Sequence, residues 1–410
     1  MIPEPVLASL RRHGLLSLPR ASSEALLLSQ MRIGLFGGAA DLPMTPTDLS
    51  HQGALPSDVP AAVICADRDS VTVALVTRTL NGVQVTERES FPTPGLEYPA
   101  PWEDFVYLAA ELAEPIVRQA ACLGFCYALP GTPEGRDIIA GSPDDLCIDG
   151  AAGQKVCTAL TAELASRDLP LLPCAALNDA AAALLAGTLL HPGQDRYFGL
   201  AWDRDLRLCL AAPRVAIPKL TGPGSDRGFV LVDTGLGGFT GVPLSDADLI
   251  LDRDAADAGR NLLRKTASLP ALGEVARFIL LKGVEDGLFS FECGRGLLAL
   301  TSLPFRAVDE LLREQGGHLA ALCPVPEDRA VAEALCRAVC DRAVELTAAA
   351  LTAAGRLTGA KDSVCITAAG GWTDTILLPL LRDALPDRTI DVPEDAALLG
   401  AAVAAWYSLT

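Results

Sequence analysis

The sequence is poor in aromatic residues, in histidine and in positive charge, and no part of it is apolar for long. Aromatics make up 5% of its 410 residues, and the four histidines are His13, His51, His191 and His318. Its 12 cysteines include no CxxC pair of the kind that holds zinc. Cys122 and Cys126, like Cys336 and Cys340, stand four apart and far from any histidine, so apolar packing is expected of them and no metal site is assigned. Basic residues number 33 against 51 acidic ones, a net charge of −18. Such a surface excludes nucleic acid as a partner, because binding there draws on counterion release by lysine and arginine. It equally disfavours an anionic membrane surface. A small anionic ligand stays open, since a few backbone N–H groups or a bound metal suffice to hold it. No run approaches the roughly 18 apolar residues that span a bilayer. The first twenty residues lack an apolar core and a small-residue cleavage site, so neither a signal peptide nor an anchor is expected there. A cytoplasmic protein with reduced thiols is the expectation.

What is present is apolar and alternating. Half of the residues are hydrophobic and 20% are charged, enough to bury a large core over two domains. A helix is expected over 22–34, then a Pro/Gly/Ser/Thr-rich strap over 42–60. Ala61-Ala-Val-Ile-Cys-Ala66 suits a buried strand, and Val71-Thr-Val-Ala-Leu-Val-Thr77 its hairpin partner. Asn81-Gly82 marks a tight turn into the alternating Val83-Gln-Val-Thr-Glu87. A helix over 102–121 leads to the strand Leu123-Gly-Phe-Cys-Tyr-Ala-Leu129, which Pro130 stops. A second helix runs over 179–190, with Asn178 or Asp179 as its cap. Strands follow around 197–210 and 229–233, and helices occupy much of 249–357. The end reads as a strand over 363–367, a Gly-Gly turn, a helix, another strand and an Ala-rich helix over 396–406. This order is mixed α/β and is consistent with two similar halves.

Five separated segments, in order, resemble the eukaryotic-type hexokinases. Met31-Arg-Ile-Gly34-Leu35 with Leu42-Pro-Met44-Thr-Pro46 is similar to the helix and "ML-PT" strap before the family's first strand. Leu123-Gly-Phe-Cys-Tyr-Ala-Leu-Pro130 matches LGFTFSFP. Leu177-Asn178-Asp179-Ala180, with Gly187 beyond, stands in place of VNDTVGTL. Asp233-Thr-Gly-Leu-Gly-Gly-Phe239 and Leu272-Gly273-Glu274-Val-Ala-Arg277 parallel NTEWGAF and YLGELVR. Pro393-Glu-Asp395 to Gly400-Ala-Ala402 stands where the family has SEDGSGKGAAL. The resemblance spans about residues 25–408 and implies a two-domain actin-like ATPase (hexokinase, ribonuclease H-like) fold with an interdomain cleft. On that reading 1–58 form an N-terminal helix and strap, 59–178 a small domain and 179–395 a large one. The helix over 396–410 packs on the small domain.

The resemblance also assigns roles. Asp179 matches the family's Asp of NDT, which takes the proton of the attacking sugar hydroxyl; a helix cap would explain it without chemistry. Asn178, Asp233 and Asn261 fall among the sugar contacts. Asp67, Ser70, Thr234, Gly370 and Gly371 fall on the nucleotide and phosphate side, with ATP and Mg²⁺ as the implied co-substrate and metal. Departures are marked. DLGGTNFR has become the shorter turn Asp67-Arg68-Asp69-Ser70, without glycines, and an ordinary charged hairpin turn is the favoured explanation. IVGTGTNACY has become Ala201-Trp-Asp203-Arg204-Asp205-Leu-Arg207-Leu-Cys209, where Arg204 is a candidate phosphate contact. Ser-Phe-Pro is now Ala128-Leu129-Pro130, the family's Thr-Lys falls near Ser142-Pro143, and its two sugar-binding glutamates are replaced by Gly235 and Arg264. Gly400-Ala-Ala402 reads as helix–sheet packing, and Trp372 as a core or rim residue rather than an adenine platform. Two functions therefore stand side by side. One is an ATP-dependent phosphotransferase acting on a hexose hydroxyl, with a sugar and a nucleotide as partners. The other is a non-catalytic homologue that binds a sugar or a protein partner. Beside these two, a further reading is a remote relative acting on some other small polyol.

Overall fold

The computed structural model describes all residues except 1–2, 17–18, 51–52, 97, 142–147, 221–227, 315, 361–363 and 410. The Ser142-Pro143 pair lies outside the described residues.

Two sheets organise the chain. The smaller has five strands, in the order Cys174–Leu177, Cys122–Tyr127, Pro60–Ala66, Ser70–Thr79 and Gly82–Pro92. Its middle strand, Pro-Ala-Ala-Val-Ile-Cys-Ala, is buried along nearly its whole length, as expected of a strand covered on both faces. It pairs antiparallel with Ser70–Thr79 and parallel with Cys122–Tyr127. Asn81-Gly82 turns the chain into Gly82–Pro92 as the dipeptide predicts. The larger sheet has six strands: Thr45–Pro46, Phe229–Asp233, Leu206–Pro213, Arg196–Trp202, Val364–Ala369 and Thr389–Asp391. In its central hairpin Trp202 faces Leu206, so Asp203-Arg204-Asp205 forms the tip.

The strap is less irregular than its composition suggests. Thr45 and Pro46 add an antiparallel edge strand opposite Asp233 and Val232, while Leu42 and Met44 are fully buried. An unexpected short helix, Glu4–Arg12, precedes the expected one, which runs Arg20–Leu35 and lies along the 33-residue helix Pro326–Thr358. None of the described helices is long and apolar enough to cross a membrane.

The helices Asp179–Leu190 and Ala396–Tyr407 run between the two sheets and against each other. Both are almost entirely alanine, leucine and glycine on their buried faces, and small side chains permit the close approach. A Cβ added at Gly400 would lie 1.9 Å from the Ala182 carbonyl oxygen, and one at Gly124 2.1 Å from that of Ala401. Backbone, not a flexible side chain, blocks the space. Gly400→Val is therefore expected to destabilise the chain by at least about 3 kcal/mol, the upper end for overpacking. Urea unfolding followed by circular dichroism checks this.

Candidate functional site

A cavity of about 730 Å³ opens where the two sheets present their strand ends to each other. The five-stranded side supplies residues 65–69, 126 and 128–131; the six-stranded side supplies residues 202–205, 207, 233 and 369–371. Asp179 sits between them at the N-terminus of its helix and lines the cavity.

The sequence Leu-Asn-Asp-Ala puts the cap one residue before the carboxylate. Asn178 is the cap: its side-chain oxygen accepts from the Ala181 N–H at 2.9 Å, and its amide donates to Asp233 Oδ2. That frees Asp179 from capping and leaves it pointing into the wall of the cavity. Asp179 Oδ1 accepts from the Ala180 N–H and from Arg207 Nη1, both at 2.9 Å; Oδ2 takes part in neither bond. Burial pushes the Asp179 carboxyl above its usual range, opposed chiefly by the Arg207 charge and helped by Asp205.

Arg207 is the residue that the sequence reading passed over. It stands where the quoted phosphate-loop motif of the resembled family has asparagine, and its second arm donates to the Ala128 carbonyl oxygen at 2.9 Å. One guanidinium thus joins a strand of the larger sheet to the loop after Cys122–Tyr127 of the smaller sheet, with Asp179 between. Burial alone depresses an arginine, but Asp179, Asp205 and Asp233 outweigh it and raise Arg207. The available signal was a single charge within Leu206-Arg-Leu-Cys-Leu210, a run that is otherwise apolar and buried.

The expected site residues divide. Asp179, Asp233, Asn261, Asp67, Gly370 and Gly371 all line this one cavity. Asn178, Ser70 and Thr234 do not. Asn178 spends its amide on the cap and on Asp233, Thr234 is fully buried with its hydroxyl on the Leu208 carbonyl, and Ser70 is tied into its own turn. Asp233 is held by the Gly235 N–H at Oδ1, and burial raises its carboxyl. Asn261 has a left-handed backbone (φ 51°), and its amide donates to Asp257. Gly370 adopts φ 101°, a conformation suited to glycine, and nothing lies within 4 Å of where a Gly371 Cβ would stand. Trp372 is fully buried, 5.3 Å from Trp202 between ring centroids, so it is a core residue and not a stacking platform.

The two turns expected to hold phosphate are built otherwise. Asp67 Oδ1 accepts from the Asp69 and Ser70 N–H groups at 2.8 and 2.7 Å, the donors a phosphate turn would offer its ligand. Across the cavity, the Asp203 N–H is taken by the Asp205 carbonyl. Seven aspartates (41, 67, 69, 179, 203, 205, 233) and four arginines (68, 204, 207, 264) line the wall, an excess of three negative charges. Burial, then the charges of Asp179, Asp69 and Asp67, push the Asp203 carboxyl up, so the two acidic tips feel each other. One feature favours an anion: Arg68 Nη1 is buried with no hydrogen-bond partner among the described residues. An unmet donor of this kind costs about 1–3 kcal/mol, which a ligand oxygen would recover.

Raised carboxyls set the sign of the pH dependence. Asp179, Asp203 and Asp233 bind protons more tightly folded than unfolded, so their burial costs stability above their folded pKa and that cost disappears as pH falls through it. Carboxyls lowered by their partners, Asp252 by Lys265 and Asp286 by Ser9 and then Arg12, lose stability only below the ordinary aspartate range. The melting temperature is expected to rise on mild acidification from neutral pH and to fall again in stronger acid. Asp203→Asn should flatten the rise; calorimetric melting of both proteins across pH checks it.

A family model described as Hexokinase matches residues 207–407. The chain is 28% identical over 313 residues to Hexokinase-4, chloroplastic, of Oryza sativa subsp. japonica, covering 68% of this chain and 58% of that protein. It is 26% identical over 204 residues to Hexokinase-2 of Solanum tuberosum, covering 46% and 40%. The matched region thus spans 58% of the first of these relatives and less than half of the second. Among solved structures it resembles a hexokinase from Schistosoma mansoni complexed with glucose, with TM-score 0.79, 18% identity and coverage of 98% and 99%. A second hexokinase crystal structure gives 0.74 at 15% identity, covering both chains completely. These likenesses show the fold: α/β, two-domain and actin-like, as in hexokinases.

Proposed function

We propose, from the match of residues 207–407 to the hexokinase family model, that the chain is a eukaryotic-type hexokinase homologue and a hexokinase-like phosphotransferase acting on a hexose hydroxyl. Asp179 is the proton acceptor. The observation that carries the reading is the placement of the Asp179 carboxylate on the wall of a 730 Å³ cavity between two sheets, with Oδ2 outside its hydrogen bonds to Ala180 and Arg207. A carboxylate there orients a hydroxyl and accepts its proton; the rest of phosphoryl transfer is positioning and charge compensation. Asp233 and Asn261 offer further acceptors and an amide to a polyol. ATP is the proposed phosphoryl donor, with its phosphates toward Arg68 and the open side of Gly370-Gly371. The wall has three excess negative charges and its two acidic turns hold no glycine, so neutralisation by Mg²⁺ carried on the ATP is part of the proposal; no cluster of metal-ligating side chains among the described residues would hold the ion by itself. A small domain over 59–178, a large one over 179–395 and a cytoplasmic setting belong to the same reading.

The Arg207–Asp179 ion pair and the internally satisfied turns favour a second reading, a non-catalytic homologue that binds a sugar or a protein partner. A radiometric transfer assay from Mg-ATP over a panel of hexoses, run beside calorimetry of each ligand, separates the two. Transfer to at least one hexose is the expected result. Hexose binding without nucleotide binding would select the second reading, and silence to every hexose and nucleotide would end both sugar readings.

A further inference from the structure

We propose that Cys157 and Cys174 form a thiol–disulfide couple, a modification site that cross-links the helix Val156–Ser166 to the strand Cys174–Leu177. The two thiols are in direct contact, their sulfurs 2.7 Å apart, so a bond of roughly 2.05 Å needs little further approach. Each comes from a rigid element. Cys157 is on the first turn of its helix, where its N–H donates to Asp137 Oδ1 at 2.7 Å, and Cys174 opens a strand paired in parallel with Cys122–Tyr127. Helix and strand pack on each other, so little backbone movement separates the thiols from the bonded geometry.

Exposure distinguishes this pair from Cys293–Cys323; Cys65 and Cys126, which also hydrogen-bond, face each other from neighbouring strands of one sheet and join no helix to it. Cys293 and Cys323 have sulfurs 3.3 Å apart, but both are fully buried. Cys174 is only partly buried and Cys157 is 7% exposed, so a small oxidant reaches Cys174 first. Cys157 is the inner partner: its hydrogen bond with Cys174, burial and the Asp137 carboxylate all hold its thiol well above the usual range. The oxidant is a low-molecular-weight disulfide such as glutathione disulfide. The Cys174 thiolate attacks one of its sulfurs, breaking the S–S bond and releasing one glutathione thiolate, which takes up a proton. Cys157, giving its proton to solvent, then attacks the Cys174 sulfur and expels the second glutathione, which is protonated in turn. Two protein thiols lose two electrons, and one glutathione disulfide becomes two thiols.

The consequence falls on the strand that leads directly into Asn178 and Asp179. The couple does not depend on any assignment of activity. The full chain is equilibrated in glutathione buffers of increasing oxidised fraction, quenched by acid and alkylation, and analysed by intact mass and peptide mapping. The expected result is a loss of two hydrogens, mapped to a linked Cys157–Cys174 peptide, that appears before any Cys293–Cys323 link and reverses with dithiothreitol. In Cys157→Ser, one glutathione should accumulate on Cys174. Separate alkylation of both thiols at every ratio, or a wild-type reaction that stops at glutathione on Cys174, would overturn the proposal.

Discussion

Asp179→Asn is expected to lower phosphoryl transfer to a hexose by about 10²–10⁴-fold, the usual worth of a positioned general base. The change is nearly isosteric. The amide oxygen still accepts from the Ala180 N–H and from Arg207, the two partners that fix the carboxylate. What is lost is the negative charge and the proton-accepting oxygen. Because burial already penalises that charge, its removal relieves a cost while it weakens the attraction to Arg207. The two effects oppose each other, and the melting temperature should shift little. Sugar affinity, measured by calorimetry, should change far less than turnover, since an amide keeps most of the hydrogen bonds to a polyol. Turnover within a few-fold of wild type would mean that the base is another residue.

Arg207→Met is expected to lower kcat/KM by about 10–100-fold at neutral pH through loss of positioning. Arg207 touches no substrate in this account; it acts through Asp179 and is a positioning residue. Its guanidinium holds Oδ1 from one side while anchoring to the Ala128 carbonyl on the other. Methionine keeps the stem and its packing but removes both bonds. The diagnostic readout is the pH profile. Arg207 is the main influence that lowers the Asp179 carboxyl against its burial. Without it the carboxyl titrates higher, so the acid limb of kcat/KM should move to higher pH. A fall in activity with an unmoved limb would indicate a structural role alone. A gain in activity would identify the ion pair as a lock on the site and favour the non-catalytic reading of the wild-type protein.

Much of the architecture was legible because apolar periodicity and turn chemistry act locally. Asn81-Gly82, the buried run at residues 61–66 and the Ala-rich helix ending at Tyr407 follow from their own residues. Gly400 illustrates the same point at the level of packing. Its small size suggested packing of helix on sheet; the backbone it meets is that of Ala182 in the neighbouring helix, and the sheet contact falls one residue on, where Ala401 meets Gly124. The short helix Glu4–Arg12 escaped notice because few residues set its period. The strand Thr45–Pro46 was missed for a different reason: two residues carry no alternation, and their conformation is set by pairing with Asp233 far along the chain.

Within the site, position along the sequence located Asp179 but not its surroundings. Arg207 is a single charge in a strand, and only three-dimensional proximity reveals that it meets residues 28 and 79 positions away. Asn178 is the instructive reversal. Its residue type suits a sugar contact and a helix cap alike, and the backbone decides in favour of the cap by placing the Ala181 N–H at 2.9 Å. The Cys157–Cys174 pair was equally invisible, since a separation of 17 residues across a helix and a loop carries no motif.

The central claim is that a hydroxyl of a bound hexose meets the Asp179 carboxylate in the cavity between the sheets. A crystal structure of the chain saturated with a hexose that it binds tests this most directly. A sugar hydroxyl is expected within about 3 Å of Asp179 Oδ2. A sugar bound elsewhere, or one in the cavity with Asp179 still engaged only by Arg207 and the Ala180 N–H, would contradict it.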